Sequence, residues 1–298
     1  MTMRVAIVGP GRVGTLLAVA CSRAGHRVVA VGGGHAASRE RLSGLVAGVR
    51  PHARPADAMR GADLVWLAVP DDRLTELATD LARQDAVHEG QRVVHVAGAH
   101  GPDVLELLRR SGARVAACHP AMTVPSGSTD PELLVGTAWG VTAGPSDRPW
   151  AEELVRDLGG DPHMVAADRR ALYHAALAVG SNAVAAAVAT ARQLLLAASI
   201  DDPAAFLGPL AHASADVVAE RGAVALTGPV ARGDVATVAG HLEAIRADVP
   251  SLGEAYRLLA LATLEPLRPQ LDAETTAVLD SLLSSDDTAG KAGARWNV

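Results

Sequence analysis

The chain has 298 residues, of which 49% are apolar, 20% charged and only 2% aromatic; that length exceeds one small core and fits two domains built on Ala, Val and Leu. Its net charge of −6 argues against a nucleic-acid partner, which needs a basic stripe against phosphate. Two cysteines, Cys21 and Cys118, are too few for a disulfide scaffold, so a soluble cytoplasmic protein in a reducing compartment is expected.

The apolar run Val5–Val8 is a strand, too short for the apolar region of a signal peptide. A glycine turn follows, then a helix over about Val13–Ala24 that Gly25 ends. Arg27–Val31 is a second strand, Ala37–Gly48 a helix and Ala56–Arg60 a helical turn. Asp63–Val69 is apolar enough for a parallel strand covered on both faces. Leu74–Ala82 is a helix, Arg92–Ala97 a strand, Asp103–Ser111 a helix, Arg114–Cys118 and Ala138–Thr142 strands, and Ala151–Leu158 a helix. Strands alternating with helices predict an α/β Rossmann domain over residues 1–166, with a doubly wound, mainly parallel sheet. From Ala167 the strands stop. Helices at 169–198, 202–220, 234–247, 251–265 and 274–284 predict an all-α substrate and dimerisation domain over 167–285. The Ser-, Asp-, Gly- and Ala-rich residues 286–298 read as a disordered tail. Ala171–Ala191 lacks Asp, Glu, Lys and Arg and approaches the roughly 20 residues of a membrane span. It is dominated by Ala and contains His174, Ser181, Asn182 and Thr190, so a helix surrounded by other helices is expected instead, with no membrane. The same apolar character predicts a homodimer made through the helical domain.

Gly9-Pro10-Gly11-Arg12-Val13-Gly14 fits G-x-G-x-x-G and stands between a strand and a helix, the context a dinucleotide fingerprint requires. Gly9 makes the tight turn, Gly11 lets the backbone approach a pyrophosphate, and Gly14 lets helix and strand pack. Arg12 and Val13 open the helix whose free N–H groups meet the phosphates. An NAD site places a carboxylate at the end of the second strand. Here that stretch reads Val31-Gly32-Gly33-Gly34-His35, followed by Ser38 and Arg39, which suit a 2′-phosphate and predict NADP(H). The turn by itself does not separate NADP(H) from a deazaflavin. Val69, Pro70 and Gly98 lie at carboxyl ends of strands and are expected to line the nicotinamide; at least one of Asp71 and Asp72 is expected to cap the next helix.

Five stretches carry a family resemblance: GPGRVG at 9–14, AVPDD at 68–72, His119-Pro120, YHAALAVGSN at 173–182 and ALTGPVARGD at 225–234. Together they resemble the Rossmann-like proteins with a C-terminal domain of unknown function 2520, akin to ketopantoate reductase and the 6-phosphogluconate-dehydrogenase-like NADP oxidoreductases. The resemblance runs over roughly residues 4–265. It implies an NADP-type Rossmann domain, a helical second domain that often dimerises, and a site in the cleft between them; some relatives are described as alternative ketopantoate reductases. The sequence departs at Ala97, where relatives often carry Ser.

Reduction of a carbonyl or imine needs a hydride from the cofactor and a proton from the protein. Ketopantoate-type enzymes use a helical Lys four residues before an Asn; here that position before Asn182 is Ala178, and the only Lys is Lys291. The catalytic candidates are therefore His174, Asn182 and His119, with Tyr173 as a further donor. On an α-helix, 174, 178 and 181 share a face, with 182 at its edge. Each histidine has a structural alternative, a core imidazole for His174 and a turn residue for His119. Arg232 is the candidate grip on a substrate carboxylate, Ser181 a further substrate contact, and Asp234 either a substrate-site residue that locks Arg232 or a helix cap. His241 follows two turns later. No spacing suggests a metal. The expected function is NADP(H)-dependent reduction of a small keto or imino carboxylate, ketopantoate among the candidates; the missing Lys also leaves open a weakly catalytic NADP(H)-binding regulatory protein.

Overall fold

A computed structural model describes residues 2–284; the expected tail at 286–298 and Lys291 lie outside the described residues. The chain divides into two compact units, one through Val179 and one from Gly180 onward.

The first unit is a doubly wound sheet with β1 (Arg4–Val8), α1 (Arg12–Arg23), β2 (Arg27–Gly32), α2 (Ala36–Leu45), β3 (Arg50–His52), α3 (Pro55–Met59), β4 (Leu64–Leu67), α4 (Asp71–Arg83), β5 (Arg92–His95), α5 (Glu106–Arg110), β6 (Arg114–Pro120), β7 (Ala138–Ala143), α6 (Arg148–Asp157), β8 (Asp161–Met164) and α7 (Arg170–Ala178). The strand order is β3-β2-β1-β4-β5-β6-β7-β8. All neighbours are parallel except β6 and β7. The central strands are apolar throughout because both faces are covered. Val5 and Ile7 of β1, with Leu64 and Trp66 of β4, join the core under α1 and α6. Ala6, Val8, Val65 and Leu67 face the opposite way, into the core under α3 and α4. The sequence reading missed β3 and β8. Both are edge strands, short and carrying Pro51 or Pro162, so they lack the two-sided apolar signal that marks a central strand.

The second unit holds α8 (Val184–Ala197), α9 (Pro203–Arg221), α10 (Val235–Asp248), α11 (Gly253–Leu264) and α12 (Ala273–Ser284). Its core is Val230, Val238, Ala260, Leu264, Leu279 and Leu283, between α10, α11 and α12. Three expectations are corrected here. The helix read as 169–198 is not one α-helix: a π turn over Val179–Ala183 joins α7 to α8. Nor is it surrounded by other helices, since none of its most apolar window is buried by the chain. And the sheet unit runs beyond the boundary read at 166, because α7 packs onto it through the buried Arg170.

Candidate active site

The glycine turn forms as its spacing requires. Gly9 has φ +99°, and a Cβ there would overlap the Ala68 carbonyl. A Cβ on Gly14 would overlap the Gly9 carbonyl, so this residue fixes how closely α1 approaches β1. A Cβ on Gly11 would meet nothing within 4 Å, which leaves the open space a pyrophosphate needs. Gly11 is the N-cap of α1 and provides no side-chain cap, so the first N–H groups stay free for an anion. Val13 sits half-buried in the first turn. Arg12 donates to the Val124 carbonyl at 3.3 Å. At the end of β2 stands no carboxylate. Arg39 Nη1 donates to the carbonyls of Gly33 (3.0 Å) and Gly34 (2.5 Å), with Ser38 beside it in α2. These residues fit a phosphorylated dinucleotide. Val69 and Pro70 follow β4, and Pro70 is the N-cap of α4. Asp71 and Asp72 are therefore first-turn residues and not caps; their charge complements the helix dipole.

The most concentrated chemistry of this unit lies where β5, β6, β7 and α7 meet. Arg170, Tyr173 and His174 share a helix face by their i, i+3, i+4 spacing. His119 on β6 pairs with Gly140 on β7, and Ala117, two residues before it, pairs with His95 on β5. Period-2 alternation therefore turns His95 and His119 to the same face. His119 Nδ1 lies 3.0 Å from Tyr173 Oη. The His119 ring meets those of Tyr173 and His174 edge to face, with centroids 5.8 and 6.0 Å apart. A Cβ on Gly98 would overlap His174 Cδ2 and come within 3.0 Å of His119 Nε2, so only glycine admits both rings there. Gly140 does the same for Tyr173, whose Oη would stand 2.5 Å from a Cβ.

The protonation states follow from these contacts. The Ala97 N–H donates to His95 Nδ1 (3.2 Å), so the hydrogen of that buried ring sits on Nε2 and goes to the Gly101 carbonyl at 3.0 Å. Burial holds His95 down to about 4. Burial, then the charges of Arg170 and His174, hold His119 down to about 4 as well. Burial pushes the Tyr173 phenol up, while the Arg170 guanidinium and the Gly140 backbone N–H pull the other way. With the hydrogen of neutral His119 on Nε2, Nδ1 accepts the phenol hydrogen across that 3.0 Å contact. Cys118, next in the chain, is a buried thiol pushed up to about 12 and is inert, as is Cys21.

Of the expected catalytic residues, the fold brings together His119 and His174, against Gly98, which was expected to line the nicotinamide. Asn182 and Ser181 lie in the π turn, which breaks the shared face read for 174, 178 and 181, because each π residue rotates the following side chains relative to an α-helix. In the second unit Arg232 is exposed. Asp234 is a helix cap: it accepts from Thr237 N (3.1 Å) and Thr237 Oγ1 (2.7 Å) and makes no ion pair with Arg232 among the described residues. His241 Nδ1 pairs with Tyr256 Oη at 2.8 Å. Among the described residues no group of His, Cys, Asp or Glu could hold a metal. The reading missed Arg170, which the sequence shows only as one of two arginines before the apolar run.

The fold defines a class, a Rossmann-like domain followed by a helical domain. The sequence matches the Rossmann-like domain over residues 1–120 and the domain of unknown function DUF2520 over 137–263. The chain is a Rossmann-like protein carrying a DUF2520 domain. No curated protein matches the sequence. Among solved structures it resembles a Bacteroides fragilis protein named as an NADP oxidoreductase, with TM-score 0.75, 22% identity, and coverage of 89% of this chain and 98% of that one. A Thermotoga maritima protein is similar at TM-score 0.64 and 17% identity, covering 89% and 99%. An imine reductase from Myxococcus stipitatus in complex with NADP+ is similar at TM-score 0.62 and 19% identity, covering 94% and 99%.

Proposed function

We propose that this protein is an NADP(H)-dependent oxidoreductase that reduces a small carboxylate-bearing keto or imino compound. The observation that carries this reading is the Tyr173–His119 pair set against Gly98, in the same unit as an open glycine turn. Gly9, Gly11 and Gly14, the free start of α1, and Ser38 and Arg39 would hold the cofactor, which when bound supplies the hydride. His119 is neutral, with Nδ1 accepting from Tyr173, so its other nitrogen carries a hydrogen. It gives that hydrogen to the substrate oxygen or nitrogen while Tyr173 passes its own to Nδ1. No imidazolium forms, and the negative charge ends on the phenolate, which solvent reprotonates. His174 packs beside His119 Nε2 and orients it. Arg232, not paired with Asp234, is the candidate grip on the substrate carboxylate. The absence of Lys among residues 2–284 separates this chemistry from a Lys-based ketopantoate mechanism, and the imine reductases among similar folds make imines the first substrates to try.

The test is a screen of NADPH oxidation, followed by absorbance, over cyclic imines, imino acids and keto acids including ketopantoate. Turnover that Tyr173→Phe abolishes while NADPH affinity persists is the expected result. NADPH binding with no turnover on any member would leave the regulatory reading in its place.

A further inference from the structure

Arg170 is 1% exposed and has no carboxylate within ion-pair distance among the described residues. Its Nη1 donates to the Gly140 carbonyl (3.0 Å) and Thr142 Oγ1 (3.3 Å), its Nη2 to the Ala97 carbonyl (2.6 Å), and its Nε finds no partner. As a clamp between β7, α7 and the end of β5 this arrangement is expensive, because a buried charge without an ion-paired carboxylate is strongly unfavourable and a neutral amide could donate to the same carbonyls. The charge itself therefore calls for a use. The guanidinium carbon stands 5.4 Å from the centroid of the Tyr173 ring, on the residue whose hydroxyl meets His119. Loss of the phenol proton would put a negative charge on the ring over which that cation stands.

We propose that Arg170 is a positioning residue whose guanidinium stabilises the Tyr173 phenolate and so sets the acidity of the Tyr173–His119 relay. This rests on the relay reading above. The other groups around the phenol cannot supply the field. His119 and His95 are neutral, being held down to about 4, and Cys118 is a protonated thiol. His174 and His100 are further imidazoles near these rings, and Asp71 is a carboxylate whose charge acts on Arg170 in the opposite sense. The nearest fixed positive charge is Arg170. The same field lowers the proton affinity of His119, which keeps Nδ1 free to accept.

The chain has two tyrosines, so Tyr256→Phe leaves Tyr173 as the sole phenol. Its ionisation is then read by near-ultraviolet phenolate absorbance, with circular dichroism checking that the fold persists at each pH. Arg170→Gln, which keeps amide donors and removes the charge, is expected to raise the Tyr173 midpoint by about one pH unit or more. Arg170→Lys, which keeps the charge and loses the fork, is expected to stay within about half a unit of the parent. An unchanged midpoint in folded Arg170→Gln overturns the proposal. If Arg170→Gln does not fold, the Lys variant decides alone: a parental midpoint supports the field, and a rise of about a unit or more assigns Arg170 to the clamp. The titration needs neither NADPH nor substrate. An unchanged midpoint in an active enzyme would remove the role of Arg170 and leave the function, whereas the expected shift in a protein that reduces nothing would do the reverse.

Discussion

Arg39 holds the carbonyls of Gly33 and Gly34 with one nitrogen, which keeps a guanidinium at the end of β2 where an NAD site has a carboxylate. Arg39→Ala should narrow the preference for NADPH over NADH, by about tenfold if one charge-assisted bond to a 2′-phosphate is lost; calorimetry with both cofactors measures this, and tighter NADH binding by the parent protein would count against the NADP(H) reading. His119 yields a pH prediction. The relay needs neutral His119, and its protonation is depressed to about 4. Turnover should hold from neutral pH through 5 and fall only near 4; an acid limb at the ordinary imidazole value near 6.5 in a pH–rate profile would argue for an unperturbed group such as an exposed histidine. His95 makes stability depend on pH. Its pKa is lower folded than unfolded, so below about 6.5 the unfolded chain binds more protons and stability falls with pH until about 4. The slope is at most about 1.4 kcal/mol per pH unit for that one group, and His95→Asn should flatten it in denaturant titrations between pH 5 and 7.

Glycine placement governs what the elements can bring together. Gly98 ends the β5 connection at a point where any side chain would displace the rings of His174 and His119. Gly98→Ala should therefore lower turnover by about 10²-fold with NADPH affinity within a few-fold of the parent, since the glycine turn lies elsewhere on the sheet. Equal loss of cofactor binding would move Gly98 from the proton-transfer pair to the cofactor. Asp234 belongs to the element it caps. Asp234→Ala should cost about 0.5–2 kcal/mol of stability, the loss of an N-cap, with little change in KM. A strong rise in KM at full stability would restore its substrate role. The π turn at Val179–Ala183 adds a further residue per turn between α7 and α8, so a helical wheel drawn across it misplaces Ser181 and Asn182.

For the molecule as a whole, the second unit leaves much apolar surface uncovered. In α9 only Pro203 is buried, while Phe206 and Leu210 are 57% and 64% exposed. Of the buried residues α8 contributes Thr190 alone. Exposed apolar surface on this extent favours a second copy over solvent. Light scattering at micromolar concentration is expected to give twice the chain mass, and Phe206→Asp with Leu210→Asp to shift it toward one chain. A parent protein of single-chain mass would sink the homodimer.

The sequence by itself determined the parts whose physics is local. Val5–Val8 followed by glycines at 9, 11 and 14 can hardly be anything but a strand, a tight turn and a helix start, and a strand apolar on both faces implies a sheet covered on both sides. The missing carboxylate after β2, the missing Lys before Asn182 and the two small sets of candidate side chains were equally plain. Only the tertiary structure decided which of those side chains act together. His119 meets Tyr173 because the antiparallel β6–β7 register places it opposite Gly140, the one residue type that leaves room for the phenol. Arg170 is buried beneath that phenol because α7 lays its 170–173–174 face on the ends of β5 and β7. Both facts depend on pairings between segments about twenty to seventy residues apart, and hydrophobic periodicity carries no record of register across such distances.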